Sequence, residues 1–141
     1  MALPTQLHLQ VVSADKSLVN ETVDEVVIPG ADGYFGVLPG HTPLLALLGA
    51  GELRYRRGDN DTHYLAIAFG FAEVQPDAVT ILAQIAETVD DIDIARAEAA
   101  RKRAEDRLAK PVVEMDVERA RIALLKSLIR LQVAARARTR G

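Results

Sequence analysis

A strand–turn–strand pattern occupies residues 52–68, which read ELRYRRGDNDTHYLAIA. Polar and apolar residues alternate over the first five positions, which is typical of a strand with one buried face. β-Branched, aromatic and apolar residues dominate the last seven positions and favour a second strand. The intervening RGDND contains the residue types that form tight turns. The stretch therefore predicts a β-hairpin.

Strand patterns also extend outward from this hairpin in both directions. Leu7, Leu9 and Val11 alternate with polar residues near the N-terminus. On the other side, residues 71–74 and 79–84 flank the turn sequence QPDA. Turn residues recur about every ten positions, a spacing typical of all-β sandwiches. The first part of the chain therefore predicts a β-sandwich.

The pattern becomes helical beyond about residue 88, where Ala, Arg, Glu and Leu dominate and the only glycine is the last residue. Residues 92–108 predict a helix, with Asp90 or Asp91 as its N-cap. Pro111 cannot lie inside a helix, so the chain breaks there. Asp116 is a suitable N-cap for a second helix. The short connection predicts two antiparallel neighbours, an αα-hairpin.

The expected fold is mainly β plus α, with a β-sandwich domain over residues 1–88 and a two-helix hairpin over residues 89–141. The second helix carries two apolar stripes about 150° apart on the helical wheel. One stripe is enough to pair with the first helix. The other either docks on a partner or is wedged against the sandwich, and both alternatives stay open. The first stripe consists of Val117, Ala120, Leu124, Leu128, Leu131 and Ala135, and the second of Ile122, Leu125, Ile129 and Val133.

Charge is unevenly distributed along the chain. Residues 1–91 carry 4 basic and 13 acidic side chains, whereas residues 116–141 carry 7 basic and 2 acidic ones. The basic part has no aromatic residue on which bases could stack, so we expect no nucleic-acid partner.

The helical cations fall into rows. If the rows meet across the hairpin, they favour a phosphate-bearing ligand, because guanidinium groups match phosphate oxygens in bidentate fashion. Local pairs such as Glu98 with Lys102 instead explain the rows as solvated faces, so both interpretations stay open. The rows are Arg96, Arg103 and Arg107 on the first helix and Arg119, Lys126 and Arg130 on the second.

Patterns of catalytic and metal-binding residues are missing from the sequence. There is no phosphate-binding glycine loop, no hydrolase nucleophile motif and no cysteine. His8, His41 and His63 are dispersed, so we expect no metal site. Residues 44–50 form the most apolar stretch and are too short to span a bilayer, so we expect no direct insertion. The chain does not read as an enzyme.

Three motifs carry a resemblance that covers residues 5–135. The segment GVLPGHTPL at residues 36–44 resembles the G-x-L-P-G-H-x-P-L signature of the epsilon subunit family of the F-type, proton-translocating ATP synthase. The run FGFAEVQPDAVTILA at residues 69–83 is similar to that family's G-G-F-x-E-V-x-x-x-x-V-T-I-L-A pattern. IDIARA at residues 92–97 resembles its I-D-x-x-R-A motif. The motifs occur in the family's order and spacing.

The resemblance implies a ten-stranded β-sandwich followed by the hairpin, and a non-catalytic place in the central stalk, the rotor, between the gamma subunit and the c-ring. It also implies a peripheral location on the cytoplasmic face of the bacterial plasma membrane. The segment between Gly30 and Pro43 is then near the gamma and c-ring contacts. Many members have G-E-L-G where this chain has Gly33-Tyr34-Phe35-Gly36, so a charge pair with the ring is not assumed. The implied interface residues are Tyr34, Phe35, Pro39, His41 and Pro43.

The resemblance further implies regulation by the hairpin. In relatives it folds on the sandwich or extends along gamma towards the catalytic beta subunits, where it blocks ATP hydrolysis. The basic second helix suits contact with acidic segments of those subunits. The implied contact residues are Arg119, Arg121, Lys126, Arg130 and Arg136.

Some bacterial relatives bind ATP in the folded hairpin, so regulatory ATP is a further expectation, with no cofactor required. Tightly binding relatives carry Arg where this chain has Lys126, which lacks a bidentate fork. A stand-alone nucleotide-sensing module of the same architecture is the alternative, and complex formation with gamma distinguishes the two. The implied ATP-binding residues are Glu87, Ile92, Asp93, Arg96, Ala97, Arg103, Lys126 and Arg130.

Overall fold

A computed structural model describes the backbone of residues 3–109 and 114–140, and the side chains of residues 3–109 and 117–136. The chain divides into two compact units, Met1–Thr88 and Val89–Gly141. Seven strands form the first unit. They are β1 Leu7–Val12, β2 Ser17–Val23, β3 Glu25–Gly30, β4 Gly33–Val37, β5 Leu44–Arg57, β6 Asp61–Val74 and β7 Ala78–Thr88. A 3-10 turn at Val89–Asp91 precedes the helices of the second unit, α1 Ile94–Ala109 and α2 Glu114–Arg140.

The strands form one sheet in the order β2-β1-β7-β6-β5-β3-β4, in which only the β1–β7 pair is parallel. The sheet folds back on itself, as an ion pair between Arg57 of β5 and Glu21 of β2 shows. The two side chains approach to 3.0 Å although three strands separate β2 from β5 in the sheet order. Both halves then share one core, which confirms the β-sandwich. Leu7, Leu9 and Val11 are fully buried in it, as their alternation predicts.

The predicted β-hairpin is confirmed, with Gly58 in the turn at a φ of 70°. The expected number of ten strands is wrong, since the sheet has seven. The reason is continuity: β5 and β6 are each 14 residues long and pair from one end to the other, except at Gly49 and Phe69. Phe69 and Gly70 have positive φ angles of 63° and 119°, yet β6 continues through them. Sequence positions that look like strand ends can therefore lie within one long, bent strand.

The helices of the second unit pack on each other through small side chains, which allow close approach of the two backbones. The buried positions recur every seven residues, as Ala97 and Ala104 on α1 and as Ala120, Ser127 and Ala134 on α2. Seven residues are two helical turns, so each set lies on one face. The Ser127 hydroxyl donates to the Ala123 carbonyl at 2.6 Å, which satisfies this buried polar group.

Neither predicted apolar stripe coincides with this buried line. Leu128 and Ala135 of the first stripe and Leu125 of the second are exposed, whereas Ser127, which belongs to neither stripe, is fully buried. The stripes were predicted mainly from large apolar residues, whereas the buried face of this helix pair consists mainly of alanine and serine. Val133 of the second stripe is buried.

The helix boundaries also differ from the predicted ones. Asp93, rather than Asp90 or Asp91, caps α1, because its carboxylate accepts a hydrogen bond from the Arg96 N–H at 3.0 Å. α2 already includes Glu114, so Asp116 lies inside the helix rather than at its cap. The predicted break at Pro111 lies outside the described residues.

Candidate subunit interface and nucleotide site

The loop between β4 and β5 contains three of the predicted interface residues, Pro39, His41 and Pro43. Its backbone is tied to the β6–β7 turn, because the Gly40 N–H donates to the Pro76 carbonyl at 2.7 Å. Within the loop, the His41 N–H donates to the Leu38 carbonyl at 3.2 Å. Pro43 is exposed, and Pro39 and His41 are half-buried. The loop therefore presents a surface whose backbone position is held from within and from a neighbouring turn.

Tyr34 and Phe35, the other two predicted interface residues, lie on β4 and face in different directions. Tyr34 is exposed over 56% of its surface. Its hydroxyl accepts a hydrogen bond from the Glu52 N–H at 2.9 Å. Phe35 is half-buried and packs against the hydrophobic core. The structure thus leaves Tyr34 available to a partner and directs Phe35 mainly inward.

An apolar row crosses four neighbouring strands and is exposed on three of them, whereas Val12 on the fourth is half-buried. Cross-strand pairing joins Leu47 of β5 to Phe71 of β6, Phe71 to Leu82 of β7, and Leu82 to Val12 of β1. Paired residues point to the same face of a sheet. Leu47, Phe71 and Leu82 are exposed by 60%, 50% and 53%, and Leu45 on the same strand as Leu47 by 71%. We call Val12, Leu45, Leu47, Phe71 and Leu82 the outer apolar row.

Sequence reasoning missed this row. A signal was present in residues 44–48, which are apolar at every position instead of alternating. A run that is apolar at every position is typical of a strand with both faces buried. Contiguous exposed apolar surface of this kind marks an interaction site.

The predicted ATP-binding residues divide between the two units. Glu87 lies near the end of β7 in the first unit, and the other seven belong to the second. Ile92 and Ala97 are buried within the second unit, and the Asp93 carboxylate is occupied as the α1 cap. Arg96 and Arg103 are exposed, and Lys126 and Arg130 are half-buried.

The buried line shows how the cation rows are placed. Arg96 and Arg103 directly precede the buried Ala97 and Ala104, and Lys126 directly precedes the buried Ser127. One residue is a rotation of about 100°, so all three cations are turned in the same sense from the packed face of their helix. In an antiparallel pair, equal rotations lead to the same side of the hairpin. Arg130 lies one turn after Lys126 on the same side.

The predicted inhibitory residues do not share one surface. Arg121 and Arg136 are exposed on the side of α2 that carries the exposed Leu125 and Leu128. Arg121 approaches Glu118 at 3.5 Å. Arg119, Lys126 and Arg130 instead lie on the side that carries the α1 arginines. Only the first group combines basic and exposed apolar side chains.

Two classes of site find no support among the described residues. No group of three or more histidine, aspartate or glutamate side chains is placed to hold a metal ion within the part of the chain that the structure describes. Over residues 3–109 and 114–140, no helix is long and apolar enough to cross a membrane.

Comparison with known protein families divides the chain in two. Residues 6–89 match the family described as ATP synthase, Delta/Epsilon chain, beta-sandwich domain. Residues 90–135 match the family described as ATP synthase, Delta/Epsilon chain, long alpha-helix domain.

Individual relatives match over nearly their whole length. A protein of Syntrophobacter fumaroxidans named ATP synthase epsilon chain is 49% identical over 129 residues, covering 92% of this chain and 96% of the relative. One of Nitratidesulfovibrio vulgaris with the same name is 46% identical over 131 residues, covering 93% of this chain and 97% of the relative.

Two solved structures have similar folds. A chain in the cryo-EM structure of the Euglena gracilis mitochondrial ATP synthase, comprising OSCP, F1 and c-ring, superposes with a TM-score of 0.83 at 26% identity. The match covers 96% of this chain and 84% of that one. A chain of the central stalk and c-ring of the Tetrahymena thermophila mitochondrial enzyme, 10% identical with a TM-score of 0.55, shows the fold alone. The chain belongs to the family of ATP synthase delta/epsilon chains, and its relatives, matched over nearly their whole length, identify it with the epsilon chains of that family.

Proposed function

We propose that this chain is a non-catalytic rotor subunit that couples the gamma subunit of the ATP synthase to the c-ring and restrains ATP hydrolysis through its helical hairpin. The observation that carries the proposal is the outer apolar row. Three large side chains in cross-strand register are half or more exposed, which is costly in water unless a partner covers them. A second subunit of the stalk is the partner that family membership supports.

The two proposed rotor contacts, with gamma and with the c-ring, use different surfaces of this chain. The outer apolar row suits a permanent interface with gamma, because obligate interfaces are more hydrophobic than transient ones. The β4–β5 loop, tied to the β6–β7 turn through Gly40, suits contact with the polar loops of the c-ring. Location on the cytoplasmic face of the bacterial membrane then follows from the complex rather than from insertion of this chain.

The hairpin supplies the regulatory part of the proposal. The side of α2 with Arg121, Leu125, Leu128 and Arg136 combines basic and apolar groups, as a docking face for acidic segments of the beta subunits requires. The side with Arg96, Arg103, Lys126 and Arg130 concentrates positive charge, which favours binding of ATP phosphates. ATP is therefore proposed as a regulatory ligand of the folded hairpin.

The rotor role is tested by binding of the full chain to purified gamma. Phe71→Asp places a carboxylate at the centre of the outer apolar row, and we expect affinity to fall about thirtyfold or more, as for a central interface residue. Thr22→Asp on the exposed side of the edge strand β2 is the matched control and should bind normally. Normal binding of Phe71→Asp would contradict the proposed interface.

A stand-alone nucleotide sensor remains the second candidate, because the convergent cations alone would suit it. It predicts ATP binding without any affinity for gamma. A rotor subunit predicts a stable complex with gamma whether or not ATP binds, so the same binding experiment separates the two functions.

A further inference from the structure

The hydroxyl of Tyr34 forms a hydrogen bond across an entire strand. Tyr34 lies on β4 and Glu52 on β5, and β3 lies between these strands in the sheet. The Glu52 N–H nevertheless donates to the Tyr34 hydroxyl oxygen at 2.9 Å. The tyrosine side chain therefore passes over β3 at Pro29, the residue with which Tyr34 is paired.

A gap in the β3–β5 ladder leaves room for this bond. Val27 pairs with Arg54, and the next pair is Gly30 with Leu48, so the register shifts between them. Two residues of β3 thus face five of β5 without regular pairing. Pro29, in the middle of the gap, has no N–H to contribute. Within this gap, the Tyr34 hydroxyl accepts the hydrogen bond of a β5 amide, that of Glu52.

Gly51 makes the crossing sterically possible. A Cβ atom at this position would lie 2.6 Å from the Tyr34 hydroxyl oxygen and 2.5 Å from Cβ of Pro29. Both distances are too short for nonbonded atoms, so any side chain at residue 51 would displace the tyrosine. The ring of Tyr34 therefore occupies space that a β5 side chain would otherwise fill.

The bond links the β3–β4 hairpin to the long strand β5 just before the proposed contact loop. β4 ends at Val37, and the loop that follows is tied at Gly40 to Pro76. The segment from β3 to β5 is held by the β3–β4 pairing up to Val37, and in addition by the Tyr34 hydroxyl before residues 35–39 and by Gly40 after them. Loss of either of these two contacts would loosen its attachment to the neighbouring strands.

We propose that Tyr34 is a positioning residue whose hydroxyl, by accepting the Glu52 N–H across β3, fixes the β3–β4 hairpin and the β4–β5 loop for contact with the rotor. The positioning role rests on the proposed function, whereas the hydrogen bond itself does not. This role would explain an aromatic residue at position 34 without any charge pair between this chain and the c-ring.

Amide hydrogen exchange of the full chain, followed by NMR, tests the bond. Tyr34→Phe keeps the ring and removes the hydroxyl, so exchange of the Glu52 amide should become roughly tenfold faster. Gly51→Ala keeps the hydroxyl but excludes it from its position, and should have the same effect. Tyr55→Phe is the control, because it removes a tyrosine hydroxyl from the same strand as Glu52. The ring of Tyr55 stacks on His63. Unchanged Glu52 exchange in Tyr34→Phe would overturn the role of the hydroxyl.

The positioning role needs a second readout, measured on the assembled ATP synthase. We expect Tyr34→Phe to reduce the number of protons pumped per ATP hydrolysed, while Tyr55→Phe leaves this ratio unchanged. Faster Glu52 exchange with an unchanged ratio would refute the positioning role. Failure of the rotor assignment is recognised separately, because the parent chain would then not bind purified gamma.

Discussion

The carboxylate of Asp24 accepts a hydrogen bond from the backbone N–H of Gly58, with 2.6 Å between Oδ2 and the nitrogen. Asp24 lies between β2 and β3, and Gly58 lies in the β5–β6 turn, 34 residues later. The side chain thus joins two turns that are distant in sequence. The Gly58 N–H, followed by the Gln6 amide, holds the pKa of Asp24 below its ordinary value of 3.8.

This bond predicts a pH-dependent contribution to stability. Because the pKa of Asp24 is lowered by folding, its contribution is fully present above pH 3.8 and is lost as pH falls through the lower folded value. Asp24→Asn should therefore be less stable than the parent near pH 7, and the difference should shrink in acid. Thermal unfolding measured from neutral pH down to about pH 2.5 checks this. Asp59→Asn, exposed in the same β5–β6 turn, is the control, and a difference for Asp24→Asn that does not vary with pH would refute the assignment.

Gly70 should not tolerate even one methyl group. Its φ is 119°, and a Cβ atom there would overlap the Leu82 carbonyl oxygen on β7. We expect Gly70→Ala to lower the free energy of unfolding by about 3 kcal/mol or more, measured by urea denaturation. Gly36→Ala is the matched control, because its φ is not positive and nothing lies within 4 Å of the added atom. Equal stability of the two variants would contradict the steric explanation.

The small side chains between α1 and α2 should be essential to the hairpin. Ala104 is 2% exposed in this packed face, so Ala104→Leu forces the helices apart. We expect a loss of about 1–3 kcal/mol in hairpin stability, seen as helical circular dichroism lost at lower temperature. Ala99→Leu, on the exposed side of α1, should have little effect. If both variants melt alike, the packing described here is wrong.

ATP binding should depend on one side of the hairpin only. We expect Arg103→Ala to weaken MgATP binding at least about tenfold in isothermal titration, because a charged hydrogen bond to phosphate is lost. Arg121→Ala also removes an arginine side chain, but from the side of the hairpin opposite to Arg103, and should bind ATP like the parent. An equal loss in both variants would indicate general charge attraction instead of a site. Absence of binding by the parent would refute the proposed regulatory ATP.

The main division of the fold was predictable because it depends on local pattern. Alternation at Leu7, Leu9 and Val11 and turn residues around Gly58 indicate strands, and the alanine- and arginine-rich residues beyond 88 indicate helices. The strand count was not predictable, because β6 continues through Phe69 and Gly70 although both residues have positive φ angles, which usually end a strand.

Much of the candidate site depends on neighbours that are remote in sequence. Leu47, Phe71 and Leu82 form a row only through the pairing of β5, β6 and β7, and the apolar run over residues 44–48 is the single local hint of it. The two sides of α2 are defined by the buried Ser127, which lies between them on the packed face of the helix. Hydrophobicity does not select a serine for a helix interface, whereas close packing of two backbones does.

From sequence alone, periodicity, turn chemistry and three motifs were enough to establish a β-sandwich followed by two helices and a family for the chain. These properties follow from residues close to one another along the chain. Tertiary structure decided which apolar residues remain exposed, which small residues join the helices, and that Tyr34 reaches Glu52 over Pro29. Each of these depends on strand register and helix rotation, where a shift of one residue changes every contact.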